Sequence, residues 1–512
     1  MKARPRPGKR VVLVYPSTGQ DVYGINTGLP LGLMMVGTVL KQKGYDPVIV
    51  DQRTEADFEG AVRRELAGGD VLFLGVSSMT GFQIRGGLTA ARLARERDPD
   101  LPVVWGGVHP SLVPEGTVRH PLVDAVCAGE GEETVADLAD ALAAGRSLEG
   151  TPGVWVKAGD GVSAGPERPL IADLDTLPPV DYDLVDAARY RTIGHILREP
   201  QLQFVTSRGC THRCGFCYNL LFNRGKYRAQ SAGRVHAELK RIAERFGVRS
   251  LFLYDDYFFA DRRRVLDILD QLEAGDEKFL FEVSCRVDFL DRADEALLRR
   301  LRTNGFQELL VGVESGNDEV LRVIGKRFTV AEVERANRKI GPAGLNVKYS
   351  FMAGFPGETD DQLFDTVDLM RRLLRDNPNV STTPLSIYTP YPGTPLFDLC
   401  LEKGLSNFPS TLDEWADYDW VEARHSFLDK RRIKHLNRLN VMSRFFDRKA
   451  FERFGGRWMR LPVMAFYGLY HALIAWRLKH RRLGFMPEVA LVNRLQRAYV
   501  NRLHRKMLGR GV

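Results

Sequence analysis

Three cysteines fall within eight residues, in the run Cys210-Thr-His-Arg-Cys214-Gly-Phe-Cys217. Thiolates at this spacing on one short loop can ligate three corners of a four-iron cluster. The fourth iron is then left without a protein ligand, and an open metal position is where substrate or cofactor chemistry takes place. A structural zinc site is the alternative, and it wants a fourth ligand. His212 lies inside the loop at a cramped spacing, and no second cysteine pair follows at zinc-ribbon distance. Cys127, Cys285 and Cys400 read as packed thiols. Six cysteines in 512 residues make no disulfide framework, so the triplet predicts metal in a reducing, cytoplasmic compartment.

Such a loop needs a scaffold. From Leu202 onward, apolar runs expected to be strands lie at 203–207, 250–254, 280–284, 308–313, 348–353 and 384–388. Helical periodicity separates them at 233–246, 262–274, 294–303, 330–341 and 359–375. Six strands with intervening helices predict a partial (β/α)6 barrel over 200–429, with functional residues at the C-terminal strand ends. Residues 1–148 show a separate alternation, with strands at 11–15, 47–50, 71–76, 103–106 and 125–128. Helices are expected at 30–43, 58–66, 85–97 and 133–144. That pattern predicts an N-terminal doubly wound, Rossmann-like α/β domain. Between the two, 149–199 is dense in Gly, Pro and Asp and reads as a connector without a core element.

The cysteine loop matches the CxxxCxxC signature of the radical S-adenosylmethionine (SAM) superfamily, including the aromatic before the last cysteine. Further segments resemble its remaining motifs in the same order. They are Tyr254-Asp255-Asp256, Gly312-Val313-Glu314-Ser315-Gly316, Gly354-Phe355-Pro356-Gly357-Glu358-Thr359 and Pro390-Tyr391-Pro392-Gly393-Thr394-Pro395. The resemblance implies a 4Fe–4S cluster on Cys210, Cys214 and Cys217 as both metal and catalytic centre. It implies acceptors for the SAM ammonium at Asp255 and Asp256, and for the ribose at Glu314 and Ser315. Pro356 falls in the segment beside the adenine. Arg286, ending the third strand, is suited to pair with the SAM carboxylate or a substrate acid. An electron donor such as flavodoxin or ferredoxin is implied, with a 5′-deoxyadenosyl radical that abstracts hydrogen from a poorly activated carbon.

The order of the two domains resembles the cobalamin-binding branch of that superfamily. Pro30-Leu31-Gly32-Leu33, Ser77-Ser78-Met79, Gly106-Gly107-Val108-His109-Pro110 and Gly129-Glu130-Gly131-Glu132 are similar to its N-terminal motifs, with 26 residues between Met79 and Gly106. Cobalamin is therefore expected, with Ser77, Gly106 and Gly107 contacting it. The DxHxxG motif that supplies a lower cobalt ligand is missing, since 14–32 contains Asp21 but no histidine. His109 reads as a loop histidine. The implied reaction is methylation of an unactivated carbon of a small-molecule, lipid or tetrapyrrole substrate. An oxidoreductase or cyclase using the same domains is the alternative.

Net charge is +8, yet from Lys430 to Val512 there are 21 Lys and Arg against Asp447, Glu452 and Glu488. The basic character therefore belongs to a helical C-terminal extension, 430–512, and predicts an anionic neighbour. Within it, 461–476 is a 16-residue run without charge, too short to span a bilayer and suited to an interfacial helix or to a buried one. No readout module accompanies the charge, so nucleic acid is not expected. No signal peptide or spanning segment is read, which leaves a cytoplasmic protein with peripheral contact at the inner membrane face.

Overall fold

The computed structural model describes residues 5–483, apart from 7, 20–27, 191, 194–199, 406, 419–426 and 450–459, together with 486, 489 and 494. Asp21 and most of the expected helical stretch 489–508 lie outside the described residues.

The first half alternates as β1 (Arg10–Tyr15), α1 (Leu31–Gln42), β2 (Asp46–Asp51), α2 (Phe58–Ala67), β3 (Val71–Ser77) and α3 (Phe82–Arg97). It continues as β4 (Val103–Gly106), α4 (Val108–Leu112), α5 (Pro114–Val118), β5 (Ala125–Cys127) and α6 (Gly131–Ala143). The five strands are parallel, in the order β2-β1-β3-β4-β5. Val11 to Val14 are buried on both faces, because helices cover both sides of the sheet. The chain reverses its winding at β1 and β3, and ligands of such sheets sit beyond the carboxyl ends there.

The connector departs from expectation. β6 (Val154–Ala158) and β7 (Gly161–Ala164) form a hairpin that extends this sheet, with β6 antiparallel to β5. Val154 and Val156 alternate into the core beneath α6, and Gly159, at φ +54°, makes the turn. Composition favoured a loop, but two alternating valines and a turn are enough once an open sheet edge is available to pair with.

The second half begins with an edge strand, β8 (Thr192–Ile193), then β9 (Pro200–Phe204), β10 (Ser207–Arg208), α7 (Asn219–Phe222), β11 (Arg228–Ala229), α8 (Ala232–Phe246), β12 (Ser250–Leu253) and α9 (Arg262–Ala274). Next come β13 (Leu280–Cys285), α10 (Val287–Arg292), α11 (Glu295–Thr303), β14 (Phe306–Glu314), α12 (Asp318–Val323), α13 (Val330–Ala343), β15 (Asn346–Ala353) and α14 (Asp360–Asp376). β16 (Val380–Thr382), β17 (Ser386–Ile387), α15 (Pro395–Glu402) and α16 (Leu412–Ala416) complete it. β9, β12, β13, β14, β15 and β16 run parallel as an open barrel. Local chemistry stops the helices where the site begins. Ser231 caps α8, and Thr329 and Thr359 form capping boxes with Glu332 and Gln362. The sixth strand, expected unbroken over 384–388, is split into β16 and β17 around Thr383–Leu385, where Pro384 cannot donate to a ladder.

Among the contacts that join the halves, two stand out. Glu130, between β5 and α6, accepts from Arg208 at 2.8 Å, from Arg228 at 2.8 Å and from the Ile171 amide at 2.7 Å. Glu132 accepts a second bond from Arg208 at 2.5 Å. Burial opposes ionisation of Glu130, but Arg208 and Arg228 hold its carboxyl below the usual range. At the far end, Trp415 and Leu412 of α16 enter the core of the first domain.

The extension comprises α17 (Lys430–Ser443) and α18 (Arg460–Lys479). Asn440 donates to the Leu385 carbonyl at 2.7 Å and Ser443 accepts from the Leu385 amide at 2.8 Å, so α17 seals the split sixth strand. Among the described residues, no helix is long and apolar enough to cross a membrane.

Glu130→Gln leaves two arginines facing one neutral amide inside the interface. A loss of about 3 kcal/mol in unfolding free energy is expected. Limited proteolysis within 149–199 is expected to accelerate in the same variant, and a wild-type digestion pattern would show that the clamp is not what docks the domains.

Candidate active site between the two domains

The cysteine loop follows β10 at the C-terminal mouth of the barrel. Gly209 precedes it at φ +85°, where an added Cβ would stand 1.9 Å from the Lys226 carbonyl oxygen. Its amide donates to Asp256 Oδ2 at 2.8 Å. The Gly215 amide donates to the Ile324 carbonyl at 3.0 Å, and the Leu396 amide donates back to the Gly215 carbonyl at 3.0 Å. Gly325, at φ +76°, lets the turn after α12 press against Arg213. The loop is therefore gripped by barrel elements far apart in sequence.

Among the described residues, no three His, Cys, Asp or Glu side chains converge on one ion-sized point. Ligands of a single zinc meet at about 2.3 Å from it, whereas thiols on separate corners of a cubane stand apart. His212 turns instead toward Asp288, at 3.7 Å, and toward the edge of Tyr257. The three thiols still feel one another. Burial pushes Cys217 up to about 12, with Cys214, Asp256 and Cys210 adding to the rise. Burial also raises Cys210, against the pull of Arg286. This donor set fits a cationic iron cluster, which takes thiolates and displaces their protons.

Arg286 is buried beside that loop. Its Nη1 lies 3.8 Å from Cys214 Sγ, its Nε donates to Asp288 at 2.8 Å and its Nη2 to the Lys326 carbonyl at 3.0 Å. Its donors are thus directed at the cluster loop and its supports. Lys326 was not singled out from sequence. It is 5% exposed, donates to Glu314 Oε1 at 3.0 Å and to the Gly312 carbonyl at 2.8 Å, and lies over the rings of Phe216 and Phe328. Only its place in the Gly-Lys-Arg-Phe turn after α12 marked it.

The other expected site residues divide into two groups. Asp256 lines the mouth of the cavity described below, and Glu314 sits at φ +72° beyond a register shift between β14 and β15. A non-glycine residue held there costs on the order of 1–3 kcal/mol, which such backbones repay by aiming a side chain. Pro356 is buried behind Phe355, which packs on Phe216 and Tyr388. By contrast, Asp255 is wholly engaged in bracing the strand end. It accepts from the Thr206 amide at 2.6 Å and from the Thr206 and Ser207 hydroxyls at 2.5 Å each. The Ser315 hydroxyl is likewise directed to Thr366 of α14, at 3.1 Å, and to the Asn317 amide.

A cavity of about 370 Å³ opens between the domains. Its deep part is an apolar slot between the first sheet and α1 and α6, lined by Leu13, Val36, Phe73, Gly75, Val104 and Val135. Ser77, Gly106, Gly107 and Glu130 form one rim, and Ser207, Arg208, Tyr218, Tyr254 and Asp256 of the barrel form the other. A Cβ on Gly107, at φ +95°, would strike the Ser78 backbone at 2.8 Å. The slot fits a flat aromatic base and the glycine rim fits a phosphoribosyl tail approaching backbone, as a cobalamin nucleotide requires. His109 is fully buried on Trp415, with Nδ1 at 3.0 Å from Thr80, and does not face the cavity.

A doubly wound domain packed on the mouth of a partial barrel with a three-cysteine loop is the architecture of a radical enzyme with a cofactor site in each domain. Family models agree: the radical SAM superfamily matches residues 204–370 and a B12 binding domain matches 26–139. An uncharacterized methyltransferase of Pyrococcus horikoshii is 30% identical over 77% of this chain and 84% of its own length. The anaerobic magnesium-protoporphyrin IX monomethyl ester cyclase of Rubrivivax gelatinosus is 28% identical over 76% of this chain and 69% of its own. The solved structure of OxsB, a cobalamin-dependent SAM radical enzyme with aqua-cobalamin and SAM bound, covers 95% of this chain and 74% of that one. It does so at 18% identity and TM-score 0.74. The chain belongs to the radical SAM superfamily, in the branch that carries a B12-binding domain. Its cofactors are a 4Fe–4S cluster, SAM and cobalamin.

Replacing Cys210, Cys214 and Cys217 together by Ala is expected to abolish iron and sulfide uptake in anaerobic reconstitution. Corrinoid binding, read from its visible spectrum, is expected to persist. Iron retained by the triple variant would refute the assignment of these ligands.

Burial pushes Glu358 up to about 7 from 4.5, against the amides of Gly354 and Phe355 and the charge of Arg432. Between those two values the folded chain keeps a proton that the unfolded chain has released, so stability falls as pH rises through that window. Glu358→Gln is expected to flatten this part of the profile in denaturant titrations from pH 4 to pH 8.

Proposed function

We propose that this enzyme methylates an unactivated carbon of an apolar small molecule, lipid or tetrapyrrole. The observation that carries the reading is the single cavity bounded on one side by Ser77, Gly106 and Gly107 and on the other by Tyr254, Asp256 and the segment leading into the cysteine loop. A methyl donor and a radical source on opposite walls of one space is the arrangement that radical methylation needs.

When bound, the three cofactors supply an electron, a hydrogen-abstracting radical and a transferable methyl group. The protein does the rest. Cys210, Cys214 and Cys217 hold the cluster and leave one corner free. Arg286 donates toward Cys214 and helps fix the loop. Asp256 presents an acceptor at the cavity, and Lys326 holds Glu314 in place at the neighbouring strand end. Phe216 and Phe355 exclude water from the loop's inner side. Asp255 and Ser315 are positioning residues that fix the two strand ends.

Apolar substrates are supported by relatives named for a porphyrin ester and a hopanoid. The similarity to the magnesium-protoporphyrin ester cyclase also favours a second reading, ring closure or oxidation without net methyl transfer. Electrons come from a small carrier of the flavodoxin or ferredoxin kind.

The two readings separate on co-product accounting. Reconstituted enzyme with iron, sulfide and hydroxocobalamin, supplied with SAM and fractionated cell extract, is expected to release S-adenosylhomocysteine and 5′-deoxyadenosine in roughly equal amounts. Substrate-dependent 5′-deoxyadenosine without S-adenosylhomocysteine would assign it to the cyclase or oxidoreductase class.

A further inference from the structure

The C-terminal helix carries a feature that the reaction does not use. One face of α18 is packed: Tyr467, Tyr470, Ile474 and Leu478 are buried, with Phe445 stacked edge-on against Tyr470 at 4.4 Å. The opposite face is just as apolar but faces water. Phe466 is 39% exposed, Leu469 77%, Leu473 37% and Trp476 47%, at steps of three, four and three residues that keep them on one stripe. The residues between them on that stripe, Ala465, Gly468 and Ala472, are exposed and uncharged as well. A helix apolar all round belongs in a core or in lipid, so a half-bare one calls for a cover.

The surrounding charge says what the cover is. No Asp or Glu occurs from 453 to 487, whereas Arg477, Lys479, Arg481 and Arg482 end the stripe. Arg482 reaches over Trp476, with its guanidinium 6.0 Å from the ring. Arg481 pairs with Asp361 and lies 4.9 Å from the Phe364 ring, which fixes the basic end at the start of α14. α14 follows the C-terminal end of β15, so this end lies on the side of the barrel mouth. A second copy of the chain docked with the helices parallel would set one basic rim against the other. A surface that is apolar at its centre and anionic at its border is a bilayer containing acidic lipids.

We infer that α18 docks the enzyme on an anionic membrane surface, with Phe466, Leu469, Leu473 and Trp476 entering the acyl boundary and the arginines at 477–482 meeting the headgroups. The helix lies along the membrane rather than crossing it, because its other face is already committed to the protein. Tryptophan at such a boundary and flanking arginines are the usual anchors of an interfacial helix. The inference is independent of which reaction the active site performs.

The test is flotation of the anaerobically prepared holoenzyme with two kinds of vesicle. One is phosphatidylcholine alone, the other equal parts phosphatidylcholine and phosphatidylglycerol. Wild type is expected to float with the anionic vesicles at least about tenfold better than with the neutral ones. The Leu469→Glu/Leu473→Glu variant is expected to lose about tenfold or more of that binding while keeping its iron and corrinoid content. Quenching of tryptophan fluorescence by brominated phosphatidylglycerol is expected in wild type and reduced in Trp476→Phe, a change too mild to unfold an exposed position. Equal flotation of wild type and the double variant would overturn the inference, as would absence of flotation. So would a concentration-dependent dimer that the same substitutions dissolve, since the face would then be covered by a second copy.

Discussion

Cys210 and Cys217, crowded with Cys214 into one half-buried loop, resist ionising unless a cation shares the space. Burial lifts Cys210 and Cys217, and the neighbouring Cys214 raises both further. The rest of the barrel mouth is organised around that cost. Arg286 brings a guanidinium against Cys214, and Lys326 brings an ammonium against Glu314 on the adjoining strand end. The loop cannot relax away, because its backbone is hydrogen-bonded to Ile324 and to Leu396. An iron cluster held by these three residues, as proposed, would supply the remaining positive charge and make the same crowding favourable.

The second constraint is mutual placement. The radical SAM and cobalamin sites can act together only if the two domains hold them within reach of one another, so the domain interface is part of the chemistry. Glu130 and Glu132 grip Arg208, two residues before the cysteine loop, while Glu130 also holds Arg228 across the β10–β11 pair. Trp415 and Leu412 tie the end of the barrel back to the first domain. Residues that bracket the loop in sequence are thus fastened to the cobalamin side at both ends of the interface.

Much of this was legible in the chain. The alternation of apolar runs and helical periods gave both sheets, because parallel strands covered on both faces must be apolar along their whole length. The cysteine spacing and the adjacent glycines at 106–107 marked the site, because a strand end facing a cofactor tolerates few residues. The hairpin at 154–164 was missed, since its stability comes from an edge that only the folded sheet offers. Lys326 was missed because an isolated lysine in a turn has no periodicity. The roles within motifs were not legible either: Asp255 and Asp256 are adjacent and chemically alike, yet one braces Thr206 and Ser207 while the other lines the cavity.

By itself, then, the sequence determined the order of elements, the open-cornered thiol loop and the basic, uncharged-cored tail, because each is a local pattern of residue type. Tertiary structure decided which carboxylates face the cavity, that Arg286 attends the cysteines, and that half of α18 stays bare. Those outcomes depend on what packs opposite a side chain, and the opposing residues come from other segments, 72 positions apart for Arg286 and Cys214.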